Sequence, residues 1–590
     1  MIPEVAHTAE LQRVAELPRR AWTQADLEQL AGELTTILSL RSPACGPNAP
    51  DAVLCKVCGC PLRLKLPQAL ALHDIGTEGG LFGPIGVGEG KTLITLLAPV
   101  VLGARKPLLL IPANLIEKTQ RERLELSRHW HIPNTLRLFS FTKLGLVQSA
   151  DELETYAPDL IICDEVHKLK NKRAAVTRRI ARYMHDHPLT KFVGVSGTVM
   201  DKSLSDFAHI SIWALKLRAP VPTTTEDIEQ WAAALDEGVD PLARMRAGAL
   251  LIFCTPGELA EHPEHVAARH GFRRRLTETP GVVATVGEGE HVDCSIYVTG
   301  IRHPVKPVTE ANFLRLRKDW KTPEGEQSIT ADGEGLMRAA DVWRHAQEMA
   351  LGLYYRWNPA PPQEWLTART NWNAFVRETI SRGRTYDSML HVANGCDAGH
   401  LDGTTLDAWR LVRDTFVPNV EAVWFDDSAI EWCVEWLKKP GLLWTEHTFF
   451  AQRLAEIAGV PYYGAKGYDG RNYIEDERPG SSAIASIDAN REGRNLQKLW
   501  NRNLLVCPPS SSAWIEQVIA RTHRPGQAAD EVIVDVLLGC RENWDAVQKA
   551  IVGAQAVKDI TGKMQKLLLA DITMPTEAEI EAGRSPRWLR

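Results

Sequence analysis

The chain has 590 residues, of which 44% are hydrophobic and 24% are charged. A chain of this length and composition can bury several cores, which predicts a multidomain globular protein. No apolar run approaches the roughly 20 residues of a membrane span, and the charged N-terminus has no signal-peptide core, so we expect a cytoplasmic protein without a membrane partner. The net charge of −6 neither predicts nor excludes a nucleic-acid partner, because a basic groove can be local on an acidic protein.

Four of the eleven cysteines lie close together in a predicted N-terminal helical segment, residues 1–62. They are Cys45, Cys55, Cys58 and Cys60. The C-x-x-C pair lets two thiolates face one cation, and four thiolates complete a tetrahedral zinc shell. The nine-residue gap after Cys45 and the single residue between Cys58 and Cys60 are irregular for such a shell. The segment therefore predicts either a structural Zn²⁺ site or free cysteines in a loop.

A glycine-rich stretch, "LFGPIGVGEGKT" (81–92), precedes a helical pattern in a domain predicted over residues 63–200. Backbone N–H groups at a helix N-terminus can converge on a phosphate, and here they belong to Gly88, Glu89 and Gly90. Lys91 would reach the β- and γ-phosphates, and the Thr92 hydroxyl would bind Mg²⁺. Ile85 stands where the commonest form of this loop has its first glycine, so a glycine-rich turn with an incidental lysine is the alternative.

Three apolar runs in the same domain end in small or polar residues, at "PLLLIPA" (107–113), "DLIICDE" (159–165) and "FVGVSGT" (192–198). Continuous apolar runs of this kind are typical of parallel strands that are buried on both faces. They predict an α/β domain built on a parallel sheet.

The second of these runs delivers two carboxylates, Asp164 and Glu165, to the edge of the predicted sheet. Asp164 can hold the Mg²⁺ shell, and Glu165 can polarise an attacking water. His167 is suited to couple this site to Ser196 and Thr198 in the "SGT" that follows the third run. The alternative for His167 is an ordinary hydrogen-bonding residue after a strand.

A tryptophan-rich interval, residues 201–420, shows helical spacing and predicts a helical insertion between two α/β domains. Its aromatic side chains fit helix packing better than a base-stacking platform, because large aromatics are usually buried. Two basic stretches, 168–185 and 269–276, are either solvated surface or contacts to a nucleic-acid backbone.

Four further apolar runs predict a second parallel α/β domain over residues 421–545, followed by a C-terminal helix and tail over residues 546–590. The runs are "GLLWTEH" (441–447), "SAIASID" (482–488), "NLLVCPP" (503–509) and "EVIVDVLLG" (531–539).

The second domain also contains "EQVIARTHRPGQ" (516–527), with Arg521 and Arg524 three residues apart. This spacing predicts one shared helical face, and guanidinium groups can neutralise the charge that develops on γ-phosphate oxygens. A solvated helix face is the alternative. More than 400 residues separate these arginines from the glycine-rich loop, so we expect a complete site only when two domains close on each other.

These motifs together resemble the superfamily 2 helicases, and within them the Swi/Snf-related ATPases of bacterial or phage-like type. The resemblance is carried by "GEGKT", "DEVHKLKN", "LLLIPANLIEKTQRE" (108–122), "SGTVM", "REGRNLQ" (491–497) and "ARTHRPGQ". Val166 replaces the family's alanine, the proline after "SGT" is absent, and "REGRNLQ" departs from the family's glycine-rich motif.

The resemblance implies two RecA-like lobes, ATP and Mg²⁺ as substrate and cofactor, and a motor that moves along duplex or branched DNA. It implies that Gln68 reads the adenine, that Gln517 lies in the nucleotide site, and that residues 108–122 contact nucleic acid. An RNA helicase, and an ATP-gated nucleic-acid clamp with little hydrolysis, are the alternatives. The sequence specifies no protein partner.

Overall fold

The computed structural model of the chain describes residues 2–40, 63–86, 89–197, 203–236, 243–285, 292, 294–303, 305–319, 321–322, 324–325, 328–330, 333, 339–382, 385–468, 470, 473–562 and 564–581. The chain divides into two compact units. The first unit comprises Met1–Gly289, Glu378–Asn394 and Gln555–Met564. The second unit comprises Glu290–Arg377, Gly395–Ala554 and Gln565–Arg590.

The first unit is mixed α/β. Its strands are β1 (Leu81–Gly83), β2 (Pro107–Ile111), β3 (Arg137–Ser140), β4 (Leu160–Asp164) and β5 (Lys191–Val195). The helices of its first segment are α1 (Ala9–Glu16), α2 (Gln24–Leu38), α3 (Leu66–Glu78), α4 (Lys91–Leu102), α5 (Ile116–Leu126), α6 (Phe141–Gly145), α7 (Glu152–Tyr156), α8 (Ala175–Asp186), α9 (Leu204–Leu215), α10 (Thr225–Leu235), α11 (Pro256–Glu261) and α12 (Glu264–Glu278).

Within the described residues, the strands of the first unit form a five-stranded sheet in the order β1-β5-β4-β2-β3. All four strand pairs are parallel, as the apolar runs predicted. Successive residues of one strand enter different cores, because side chains alternate across a strand. Leu108 and Leu110 pack into one core, and Leu109 packs into the other. Burial on both faces explains why these strands are continuously apolar.

The second unit is also mixed α/β, and three of the helices given below, over 363–382, 389–397 and 541–561, include residues of both units. From residue 295 onward the elements are β6 (Ser295–Arg302), α13 (Pro307–Asp319), α14 (Ala339–Ala350), β7 (Leu353–Trp357), α15 (Gln363–Arg382), α16 (Met389–Asp397), α17 (Thr404–Val412), β8 (Val420–Trp424), α18 (Ser428–Leu437), β9 (Gly441–Thr445), α19 (Thr448–Ala458), β10 (Tyr462–Tyr463), β11 (Ser482–Ser486), α20 (Ile487–Asn490), β12 (Arg502–Val506), α21 (Ser512–Thr522), β13 (Glu531–Leu538), α22 (Arg541–Thr561), α23 (Lys566–Leu569), β14 (Asp571–Thr573) and α24 (Glu577–Glu581).

Over the part of the second unit that the structure describes, seven strands form a parallel sheet in the order β10-β11-β9-β12-β13-β6-β14. The four predicted apolar runs supply β9, β11, β12 and β13, so the prediction of a second parallel sheet is confirmed. The sequence did not indicate β6, which lies beside β13. Its sequence, "SIYVTGIR", is not a continuous apolar run, and its first four residues alternate between exposed and buried.

The tryptophan-rich interval, predicted as one insertion over residues 201–420, is divided between the two units. Phe207, Trp231 and Phe272 from its first helices belong to a core of the first unit, because they pack against the sheet residue Phe82 and its neighbours. The later part carries β6 and the antiparallel pair β7–β8. In α15, Trp365 and Trp372 are buried, in agreement with a packing role for these aromatics.

Cys45, Cys55, Cys58 and Cys60 lie outside the described residues. The seven cysteines inside the described part of the chain are free thiols. No helix within the described ranges has both the length and the apolar character that crossing a membrane requires.

Candidate nucleotide site

The glycine-rich loop connects β1 to α4 at the edge of the first unit's sheet. Ile85 is fully buried and packs in one of the two cores of this unit, which explains why this position is not glycine. The Gly86 N–H donates to Thr285 Oγ1 at 2.8 Å and fixes the start of the loop. Val87 and the predicted phosphate-contacting Gly88 lie outside the described residues, whereas Glu89 is described and precedes the helix cap.

Gly90 caps α4 in a left-handed conformation, with φ of 73°. Gln68 Nε2 donates to the Gly90 carbonyl at 3.0 Å, and a Cβ at this glycine would lie 2.1 Å from the same nitrogen. The side-chain oxygen of Gln68, Oε1, accepts from the Lys65 N–H at 2.8 Å. Both ends of the Gln68 amide therefore hydrogen-bond to backbone, and the side chain fixes the loop at the point where α4 begins.

Lys91 and Thr92 form the first turn of α4. Lys91 Nζ donates to the Gly86 carbonyl at 3.0 Å, so the ammonium group lies across the loop. On α5, burial raises the pKa of Glu122, while the charge of Lys118 and the side chain of Thr92 oppose that shift. The motifs did not single out Glu122, which is the last residue of the segment expected to contact nucleic acid.

The two predicted carboxylates follow β4, whose neighbours in the sheet are β5 and β2. Asp164 is the last residue of the strand, and its Oδ1 atom is buried without a hydrogen-bond partner among the described residues. Glu165 adopts a left-handed conformation, with φ of 61°. This conformation costs a non-glycine residue about 1 kcal/mol, so the contacts of the Glu165 side chain must help to hold it.

Those contacts form a chain from Glu165 to His167. Ser196 Oγ donates to Glu165 Oε2 at 2.9 Å, and His167 Nδ1 lies 2.9 Å from the same hydroxyl. Because the hydroxyl hydrogen is committed to Glu165, His167 Nδ1 carries its own hydrogen and donates it. The Ser196 N–H donates to the Gly83 carbonyl at 3.0 Å, which links this chain to the end of β1. Thr198 lies outside the described residues.

The two neighbouring carboxyl groups have opposite electrostatic environments. Burial and the charge of Glu165 raise the pKa of Asp164 to about 7, although Lys91 opposes this shift. Burial also disfavours the Glu165 anion, but the charge of Lys91 and the hydrogen bonds from His167 and Ser196 hold the pKa of Glu165 below its usual range. Glu165 is therefore the ionised group at neutral pH, and a cation beside Asp164 would favour ionisation of that group as well.

In the second unit, the predicted arginines converge on one backbone carbonyl. Arg521 Nη1 donates to the Arg494 carbonyl at 3.0 Å, and Arg524 Nη1 donates to the same oxygen at 3.3 Å. Gln517, one turn earlier in α21, accepts from Arg521 Nε through its own carbonyl at 2.9 Å. The segment 491–497 and the segment 516–527 thus meet at Arg494.

The prediction that both arginines share a helical face is wrong, because α21 ends at Thr522 and Arg524 lies beyond it. Arg524 precedes Pro525, and a residue before proline is driven out of the helical conformation. A side chain outside the helix approaches the Arg494 carbonyl from the loop and not from the helix surface.

Three of the four arginines of the first basic stretch make side-chain contacts within the first unit. Arg179 is buried, donates to the Leu144 carbonyl at 2.6 Å and lies 3.5 Å from Asp387. Arg182 lies 2.9 Å from the same carboxylate, and Arg178 donates to a backbone carbonyl at 2.7 Å. These three guanidinium groups hold the 378–394 segment against α8.

The second basic stretch lies on α12 and makes similar internal contacts. Arg269 donates to the Leu235 carbonyl at 2.6 Å. Arg275 is buried and donates to the Leu17 and Pro18 carbonyls at 2.9 and 2.7 Å. The remaining arginines of this stretch, Arg273 and Arg274, also donate to carbonyls of the first unit. These seven arginines of the two stretches therefore bind the protein's own backbone and carboxylates.

A magnesium site needs few protein ligands when a nucleotide is present. Within the described ranges, no group of three or more His, Cys, Asp or Glu side chains is arranged to hold a metal ion. Mg²⁺ at phosphate sites usually takes one or two protein ligands and completes its shell with phosphate oxygens and waters. Thr92 and Asp164 are the residues that the sequence predicts for such a partial set.

Comparison with protein-family models gives no match for this sequence, and no curated protein is significantly similar to it. Functional assignment therefore depends on the geometry of the site and on the resemblance of individual motifs.

Proposed function

We propose that the chain is an Mg²⁺-dependent ATPase whose reacting groups lie at the carboxyl edge of the first unit's sheet. The observation that carries this proposal is the Glu165–Ser196–His167 hydrogen-bond chain beside Asp164 and Lys91. Ligands of parallel α/β sheets bind at the carboxyl ends of the strands. A lysine in a glycine-rich loop and two strand-end carboxylates are the groups that ATP hydrolysis requires there.

The residues at this edge fit a nucleoside triphosphate with its cation. The left-handed Gly90 leaves no room for a side chain and begins α4, whose N-terminus attracts phosphate. Asp164 Oδ1, which has no hydrogen-bond partner in the described part of the chain, is a buried oxygen that a cation would satisfy. When bound, Mg²⁺ supplies neutralising charge between the β- and γ-phosphates. Thr92 and Asp164 are the groups that would hold it.

Each group then has a separate task. Lys91 would neutralise charge on the β- and γ-phosphates, and Glu165 would orient the attacking water. Because Lys91, His167 and Ser196 hold the pKa of Glu165 low, its carboxylate is a weak base. We therefore assign Glu165 to the orientation of water, which suits a reaction that depends mainly on positioning and charge. His167 and Ser196 would fix the Glu165 carboxylate and connect it to the ends of β1 and β5.

We further propose that the two units are RecA-like lobes and that Arg521 and Arg524 supply positive charge to the same reaction. The presence of a parallel sheet in each unit supports this proposal. The convergence of both guanidinium groups on the Arg494 carbonyl supports it as well, because it joins the two motifs of the second unit that carry the resemblance. Loss of hydrolysis in Arg521→Ala, with nucleotide binding retained, is the expected result.

We propose that hydrolysis drives movement along duplex or branched DNA. This part of the proposal depends on the resemblance to Swi/Snf-related ATPases, since the arginines of the two basic stretches make contacts within the first unit. Binding directed to the DNA backbone should tolerate changes of sequence and should weaken steeply with salt. An RNA helicase and an ATP-gated clamp with little hydrolysis are the alternatives that the experiment must separate.

The experiment compares steady-state ATP hydrolysis without nucleic acid and with duplex DNA, single-stranded DNA or RNA, using Lys91→Ala as the background control. Duplex DNA should stimulate hydrolysis more than either single strand, and ATP should drive displacement of the third strand from a DNA triplex. Stimulation by RNA alone would favour the RNA helicase. Tight nucleotide-dependent DNA binding with negligible turnover would favour the clamp.

We also propose that Cys45, Cys55, Cys58 and Cys60 hold one structural Zn²⁺. Four thiolates complete the preferred tetrahedral shell of this ion. Elemental analysis of protein purified without chelator should give one zinc per chain, and the double variant Cys55→Ser with Cys58→Ser should lose it. Protein without zinc would show instead that these cysteines are free.

A further inference from the structure

The resemblance assigns Gln68 to the reading of adenine, but the amide of this side chain already has backbone partners on both sides. The side chain is 5% exposed. Its Nε2 donates to the Gly90 carbonyl at 3.0 Å, and its Oε1 accepts from the Lys65 N–H at 2.8 Å. Because a carbonyl only accepts and an N–H only donates, these two contacts fix the orientation of the amide.

The amide lies directly against the glycine-rich loop. Gly90 is left-handed, and a Cβ on this residue would lie 2.1 Å from Gln68 Nε2 and 3.1 Å from the amide carbon. The Gly90 carbonyl also accepts from the Leu93 N–H at 3.1 Å, in the first turn of α4. Gln68 therefore holds the carbonyl at which α4 begins.

Reading adenine would require a different orientation of this amide. Adenine presents a donor and an acceptor on the edge that carries its amino group, whereas guanine presents two acceptors there. An amide that separates the two bases must turn its own donor and acceptor together toward that edge. In this chain the donor of Gln68 serves the cap of α4 and its acceptor serves the start of α3, so turning the amide to a base would break both contacts.

We propose that Gln68 positions the glycine-rich loop and does not select the base, so that the site accepts GTP as well as ATP. The groups that determine binding are then those assigned to the triphosphate and its cation, and not a base-reading amide. This inference rests on the hydrolase function proposed above, since it concerns which nucleoside triphosphates the same site hydrolyses.

The test measures steady-state hydrolysis of ATP and of GTP, each with Mg²⁺, by the wild type, Gln68→Glu and Gln24→Glu. Gln68→Glu keeps the size of the side chain and an acceptor for the Lys65 N–H, but it replaces the Nε2 donor with oxygen. Gln24 is exposed on α2, where its amide donates to Glu28 at 3.0 Å, so the control makes the same change of charge at a residue without a contact to the loop. Thermal unfolding identifies a temperature at which all three proteins are folded.

We expect the kcat/KM values of the wild type for ATP and GTP to agree within about tenfold, whereas a site that hydrogen-bonds adenine should reject guanine by a far larger factor. Gln68→Glu should lower kcat by about tenfold or more with both nucleotides, because small displacements of reacting groups are costly. The ratio of the two kcat/KM values should stay that of the wild type, and Gln24→Glu should match the wild type.

The possible failures are distinguishable. If the wild type hydrolyses neither nucleotide, the proposed ATPase function is wrong. If it hydrolyses ATP but prefers it to GTP by more than about tenfold, or if Gln68→Glu changes the ratio between the two, the ATPase function stands and the inference about the base is wrong. An unchanged kcat in folded Gln68→Glu would show that Gln68 has a structural role alone and does not position the loop for the reaction.

Discussion

The charged groups at the edge of the first sheet and the arginines of the two basic stretches differ in what they contact. At the sheet edge, Asp164 retains a buried oxygen without a partner in the described structure, and Lys91 Nζ donates to the Gly86 carbonyl of the glycine-rich loop. In the basic stretches, Arg179 and Arg275 are buried and donate to backbone carbonyls. A run of arginines in a sequence therefore does not by itself indicate a binding surface, because its guanidinium groups can be used inside the fold.

The same comparison separates two kinds of buried charged group within one unit. Buried charges that are satisfied by carbonyls contribute to the fold, since removing them leaves those carbonyls without donors. Buried charges with opposed pKa shifts and an unsatisfied atom are typical of functional sites. Asp164 and Glu165 belong to the second kind, because burial raises the pKa of one and neighbouring donors lower the pKa of the other.

The largest expected effect is at the sheet edge and at its proposed counterpart in the second unit. Lys91→Ala, Glu165→Gln and Arg521→Ala should each reduce ATP turnover by at least about a hundredfold, because phosphoryl transfer depends on positioned charge. Glu165→Gln should still bind nucleotide in an equilibrium titration. Turnover like that of the wild type in all three variants would refute the assignment of the site.

A smaller effect is expected for the buried arginine Arg179, and on stability instead of chemistry. Arg179→Ala removes donors from backbone carbonyls and a cation beside Asp387, which should cost about 2 kcal/mol. Thermal unfolding followed by circular dichroism measures this loss, and the exposed Arg173→Ala in the same stretch is the matched control.

The salt dependence of DNA binding sharpens the same comparison. If Arg179 makes contacts only inside the protein, the slope of log affinity against log salt should be unchanged in Arg179→Ala. A slope reduced by about one would show that this arginine contacts a phosphate, and the contrast between the two regions would then be lost.

A smaller effect on turnover is expected from substitution of Ser196, whose hydroxyl lies between Glu165 and His167. Ser196→Ala removes the donor that fixes the carboxylate, so turnover should fall by about tenfold, in the range seen when an orienting group is removed. Ser196→Thr keeps a hydroxyl and should retain most of the activity. Equal turnover in the wild type and Ser196→Ala would show that Glu165 needs no such donor.

Sequence patterns predicted the sheets well where the strands are buried on both faces. The runs around Leu109 and Leu443 are continuous in apolar residues, because each strand supplies two cores. This criterion did not detect β6, because Tyr297 is exposed and the first four residues of the strand alternate between exposed and buried. The criterion also did not predict that the 201–420 interval is divided between the two units, because helical spacing does not show which core a helix joins.

The residues of the candidate site could be predicted where they lie in the glycine-rich loop motif or directly after a buried strand. Motif spacing identified Lys91, Asp164 and Glu165, and the structure places them with Ser196. The pattern misplaced Arg524, since Pro525 ends the helical path before that residue.

The most direct test of the central claim is ATP hydrolysis by the wild-type chain and by Glu165→Gln, each measured with Mg²⁺, with and without duplex DNA. We predict that the wild type hydrolyses ATP, that duplex DNA increases the rate, and that Glu165→Gln binds ATP but is at least about a hundredfold slower. Absence of hydrolysis by the wild type, or equal rates for the two proteins, would contradict the account.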